Sequence, residues 1–245
     1  MILLALMLQA AGPAEAQSAR LARCVDTANR DAAAGQAEAT SWALSGTGGF
    51  LARQCLGIAY AAQAKYPAAA AAFEDAARAA ATAKDERAAT YWAQAGNAWL
   101  AAGDGVKAQA SIDAAIAAGG LTGLALGEAY LDRARARVAA GDAAGARGDI
   151  DVALRTAADD PLAWLLSATL ARRSGDLKRA QADIAEALTR AADDASVQLE
   201  AGNIAALAGD EAGARGGWTK AAQLGGSTAV GASARAALAQ FEAGK

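Results

Sequence analysis

The sequence predicts an all-α chain: an α-solenoid of stacked helix–turn–helix repeats with a C-terminal capping helix. Three observations predict it. Gly-Asp recurs at Gly141-Asp142, Gly175-Asp176 and Gly209-Asp210, at one constant interval. The octapeptides at 141–148 and 209–216, GDAAGARG and GDEAGARG, differ at one position. A fixed period of this length marks supersecondary units that each bury a neighbour's apolar face. Alanine supplies about a third of the 245 residues and proline only 3. Alanine loses no side-chain entropy in a helix, whereas proline breaks one.

Taken in order, residues 1–16 read as a secretory leader. Met1 to Ala11 is apolar and uncharged, and Ala14-Glu15-Ala16 offers a small-residue cleavage site before Gln17. Glu15 and Arg20 interrupt too early for the roughly 20 apolar residues of a membrane-spanning helix. Residues 17–49 read as a degenerate helical pair ending at Gly46-Thr47-Gly48-Gly49. The only two cysteines, Cys24 and Cys55, lie near this end. In an oxidising compartment such a pair reads as a disulfide, the alternative being two unrelated buried thiols. The absence of histidine leaves the two thiolates unable to complete a tetrahedral metal site, so no metal is expected.

Five units follow, over 50–83, 89–122, 127–160, 161–194 and 195–228. The unit at 127–160 carries Tyr130, Gly141-Asp142, Ala146, Ile150 and Ala153. The next carries Trp164, Ala168, Gly175-Asp176, Ala180, Ile184 and Ala187. The last of the five carries Gly202, Gly209-Asp210, Ala214, Trp218 and Ala221, with Gln198 in the aromatic's place. Upstream, 89–122 has Trp92, Gly96, Gly103-Asp104, Ala108, Ile112 and Ala115. The unit at 50–83 has Gly57, Tyr66, Ala69, Phe73 and Ala76, with Ala64-Lys65 replacing Gly-Asp. The upstream units are spaced more widely than the downstream ones, which predicts linking helices longer by a turn. Residues 229–245, with alanine and leucine on one side and polar residues on the other, predict a solvating helix and tail.

The physical reading of these units is consistent. Small residues let two helices approach closely, and the large residue fills the gap they leave. Glycine can take the left-handed conformation that ends the first helix, and the following aspartate can cap the second. Asp160 before Pro161, and Asp194 one period later, are caps for the next unit. Over 50–228 this pattern resembles the tetratricopeptide repeat, a helix–turn–helix of about 34 residues. The resemblance implies a peptide or partner helix bound along the inner face of each first helix. Here that face holds Gln54, Ile58, Asn97, Leu100, Leu131, Leu165, Thr169, Arg172, Arg173, Leu199 and Asn203. Leu131, Leu165 and Leu199 recur at the repeat period as an apolar stripe, with Arg172-Arg173 the cationic point beside it. The Lys/Asn clamp that some of these repeats use for a C-terminal carboxylate is not matched, because Gln54, Ala93 and Ile58 stand in its places.

The chemistry of an enzyme is harder to find. No histidine is present to serve as a general base, and no phosphate-binding glycine loop occurs. Asp149 and Asp151, two positions apart on a helix, face different ways and read as a solvated face. The net charge of −3 gives no basic field for nucleic acid. The sequence therefore predicts a non-catalytic, cofactor-free interaction scaffold, exported to the periplasm. It is expected to be monomeric, with a protein or peptide partner and no membrane span after cleavage. The alternatives are an accessory subunit of an envelope enzyme or secretion complex, and a cryptic hydrolase.

Overall fold

The computed structural model describes residues 13–243, which form helices joined by short turns in two compact units, divided between residues 121 and 122. Residues 1–12 of the expected leader lie outside the described residues; its last four begin the first helix.

The first unit runs α1 (Pro13–Arg30), α2 (Ala32–Leu44), α3 (Gly49–Ala62), α4 (Tyr66–Thr82), α5 (Ala88–Ala101) and α6 (Gly105–Ala118). Asp31 separates α1 from α2 by accepting from the Ala33 and Ala34 amides at 3.0 Å each. Cys24 on α1 and Cys55 on α3 form a disulfide with Cα atoms 6.2 Å apart, both fully buried beside Trp42. In α5 and α6 the small-against-large rule is visible atom by atom. A Cβ on Gly96 would lie 2.4 Å from Ile112 Cγ1, so the glycine is what lets the helices close. Ala64, standing where other units have glycine, is held at φ +55°, and Lys65 supplies no side-chain cap.

The second unit runs α7 (Gly123–Ala139), α8 (Ala143–Thr156), α9 (Pro161–Arg173), α10 (Leu177–Arg190), α11 (Ala195–Leu207), α12 (Glu211–Gly225) and α13 (Ala229–Ala243). Helices α4 and α7 have 17 residues each, about one turn more than the 13 or 14 of α3, α5, α6 and α8 to α11. The Gly-Asp turns behave alike. Gly141, Gly175 and Gly209 sit at φ +83°, +80° and +78°. Asp142, Asp176 and Asp210 accept from the amides of Gly145, Arg179 and Gly213 at 2.8, 3.1 and 2.9 Å. Each such cap contributes about 1 kcal/mol. Asp160 and Asp194 cap α9 and α11 through the Leu162 and Ser196 amides. Two buried clusters alternate along the unit. One gathers Leu131, Ala146, Ile150 and Leu170, the other Ala168, Ile184, Val197 and Ile204. At the end, Phe241 of α13 meets Trp218 of α12 edge to face at 5.5 Å, covering the last apolar surface.

Candidate functional site

The sequence-predicted groove residues divide between the two units. Gln54 and Ile58, half-buried on α3, and Asn97, exposed, and Leu100, half-buried, on α5, belong to the first unit, and the other seven to the second. Leu131 is not a groove residue. It is 1% exposed, packed in the core shared by α7, α8 and α9, because α7 turns this side chain toward Ile150 rather than outward. The leucine stripe therefore lacks its first member. Leu165 is half-buried against the α10–α11 cluster, and Leu199 is half-buried on α11.

Arg172 is not an available cation either. Its Nε and Nη2 donate to both carboxylate oxygens of Glu200 at 2.6 and 3.1 Å, and Glu200 is 6% exposed. Asn203 donates to the same carboxylate at 3.2 Å and accepts from Trp218 Nε1 at 2.9 Å. The chain Arg172–Glu200–Asn203–Trp218 ties α9 to α11 and α12, so two expected contact residues hold the fold. Arg173, next in the chain, is exposed and makes no hydrogen bond or ion pair among the described residues. Arg172→Ala should strand a buried carboxylate, costing about 2 kcal/mol, or roughly 4–8 °C in melting temperature. Arg173→Ala should move it by no more than about 1 °C. Thermal melts of the two variants decide between these roles, and equal shifts would contradict the assignment.

Beside Arg173 lies an apolar cleft of about 200 Å³ between α7, α8 and α9. Ala134, Val138, Ile150, Leu166 and Leu170 line its floor, while Arg135, Thr169 and Arg173 stand at its rim. Arg135 is paired with Asp132 at 3.1 Å on its own helix. Of these, sequence reading found Thr169 and Arg173 and missed Val138, Leu166 and Arg135. The available signal was register, since Arg135 and Thr169 are separated by the same interval as the Gly-Asp pairs.

The acids read as a solvated face are also placed differently. Asp149 is 3% exposed. It receives Arg133 Nε and Nη2 at 3.0 and 2.7 Å and Arg137 Nη1 at 2.9 Å. Asp151 binds Arg147 at 2.8 Å and Arg179 at 2.6 Å. Burial alone would raise the Asp151 carboxyl, but its hydrogen bond to Arg179 and the Arg147 charge hold it below the usual carboxylate range. Burial lowers the Arg147 guanidinium despite the Asp151 charge. Arg147 Nη1 also donates to Ser167 at 2.9 Å, and Ser167 donates to Asp183, itself reached by Arg179 Nε at 3.3 Å. These groups link α8, α9 and α10, and every carboxylate in them has an arginine partner. Among the described residues no group of three or more His, Cys, Asp or Glu could hold a metal ion. Nor is any helix there long and apolar enough to cross a membrane.

No family model matches the chain, and no curated protein matches it in sequence. Solved structures do match. PilF of Pseudomonas aeruginosa superposes with a TM-score of 0.72 at 14% identity, covering 96% of this chain and 100% of its own. A tetratricopeptide repeat protein of Parabacteroides merdae gives 0.64 at 14% identity, over 94% of this chain and 92% of its own. YrrB, a tetratricopeptide protein described as having an unusual peptide-binding site, gives 0.54 at 17% identity over 76% and 91%. The chain has the tetratricopeptide-repeat fold, an all-α solenoid of helical repeats.

Proposed function

We propose that this chain is a non-catalytic protein-interaction scaffold of a bacterial cell envelope. It holds a partner's helix or extended segment on the face of the second unit formed by α7, α9 and α11. The observation that carries the reading is the cleft beside Thr169. It is an apolar depression with a polar rim and one exposed, unpaired arginine, on the side of the repeats where first helices lie. Concave apolar surfaces with a few convergent polar groups are the usual form of a recognition site. The peptide-binding site ascribed to YrrB, which shares the fold, is consistent with it. Export to the periplasm is supported by the apolar run of residues 1–11 and by the fully buried Cys24–Cys55 bridge, which forms in oxidising compartments.

A photo-crosslinking amino acid at Thr169 should give discrete adducts in the periplasmic fraction of producing cells. The same probe at Ala185, exposed on α10, should give none. Adducts from Ala185 and not Thr169 would move the surface elsewhere, and protein confined to the cytosol would overturn the envelope assignment.

A further inference from the structure

Resting on that groove reading, we infer that the bound segment is an acidic, apolar peptide. It seats one bulky apolar side chain in the Val138–Leu170 cleft and offers a carboxylate, about one helical turn away, to Arg173.

Volume selects the first element. A cavity on the order of 150 Å³ lined by aliphatic side chains accommodates a benzene ring, so a cleft of about 200 Å³ takes one leucine- or phenylalanine-sized group. Charge selects the second. The neighbouring carboxylates already have cations: Asp132 has Arg135, Asp149 has Arg133 and Arg137, Asp151 has Arg147 and Arg179, and Glu200 has Arg172. Arg173 is the guanidinium at the rim left without one. Its place at the C-terminal end of α9 is favourable for a cation and explains why the charge is tolerated there. That interaction leaves the planar fork open to a bidentate carboxylate. A basic segment would meet the uncompensated charge of Arg173 and be repelled.

The test is panning of phage-displayed random dodecapeptides on the full chain, in parallel with Arg173→Glu, Arg173→Gln and Thr169→Trp. Circular dichroism verifies the fold of each variant. The wild type should enrich Leu or Phe followed three or four positions later by Asp or Glu, matching helical spacing. On Arg173→Glu the acid should be replaced by Lys or Arg, and on Arg173→Gln the charge preference should vanish. Thr169→Trp, which fills the cleft, should abolish enrichment. In fluorescence anisotropy the consensus peptide should lose about tenfold or more in affinity on Arg173→Glu, and changing its acid to lysine should restore binding. Peptides without an acid, or with one whose preference survives Arg173→Glu, overturn this inference. If Thr169→Trp still abolishes them, the groove reading stands. No enrichment at all, or peptides indifferent to Thr169→Trp, would overturn both.

Discussion

Asp149→Ala is expected to destabilise the second unit by about 3–5 kcal/mol, the cost of leaving a buried ion pair with one side missing. The carboxylate is 4% exposed, and its partners Arg133 and Arg137 are 16% and 22% exposed. Removing it leaves two guanidiniums facing each other on α7 with much of their hydration gone. Arg133 retains the Tyr130 ring, 5.0 Å from its guanidinium carbon, and Arg137 retains the Gly145 carbonyl at 3.0 Å. Asp142 lies 3.9 Å from Arg137 Nε, but its carboxylate is 53% exposed and compensates a buried charge only weakly. Thermal melts should fall by roughly 6–20 °C, with Asp149→Asn intermediate because it keeps the hydrogen-bonding shape. Asp151→Ala should cost much less, since its carboxylate is 36% exposed and water can take its place. A loss below about 1 kcal/mol for Asp149→Ala would mean that water reaches the site freely. The triple replacement Arg133→Met, Arg137→Met, Asp149→Leu should recover most of the stability. An ion pair of this kind compensates its own desolvation rather than adding net stability.

The structure also indicates which features could be seen in one dimension. Turns and caps were legible because they are local: Gly141 and Asp142 act on their immediate chain neighbours. The close approach of paired helices was legible because Gly96 and Gly202 oppose Ile112 and Trp218 at fixed offsets inside one unit. The direction a side chain takes between units was not. A first helix has one face toward its own second helix and another toward the neighbouring unit, so the repeat period cannot tell an inward leucine from an outward one. Leu131 went into the core and Leu199 stayed half-buried for this reason. Asp149 was misjudged by counting along one helix, when its partners Arg133 and Arg137 stand on another. Its recurrence one period later as Asp183, also buried, was the signal for an internal acid. Arg172 and Arg173 differ in role although adjacent, because about 100° of helix rotation separates a side chain reaching Glu200 from one reaching solvent.

Replacing both cysteines by alanine is expected to release α1 from the first unit, with a loss of about 3–4 kcal/mol in the chain-entropy account of a bridge spanning 31 residues. The reason lies in how little else holds that helix. Among the side chains described on this helix, only Cys24 and Ala28 are buried, with Gln17, Arg20, Leu21, Val25 and Thr27 partly so. Its other ties include Arg20 stacked 4.8 Å above Trp42, Gln17 donating to the Thr47 carbonyl at 3.1 Å, and Ala28 packed against Gly35 of α2. Contacts of this kind are worth about 1 kcal/mol each, less than the ordering entropy of a helix this long. By contrast α3 to α6 keep Phe73, Tyr91 and Ile112 and need no help from α1. Hydrogen exchange should therefore show α1 amides losing protection in Cys24→Ala/Cys55→Ala while those of α3 to α6 stay slow. Alanine is the right replacement, since a serine hydroxyl in this dry site would add a desolvation cost of its own. Wild-type protein kept under strong reductant should reproduce the same pattern. Retained protection of α1 in both cases would show that packing suffices, and that the bridge is not what fastens this helix.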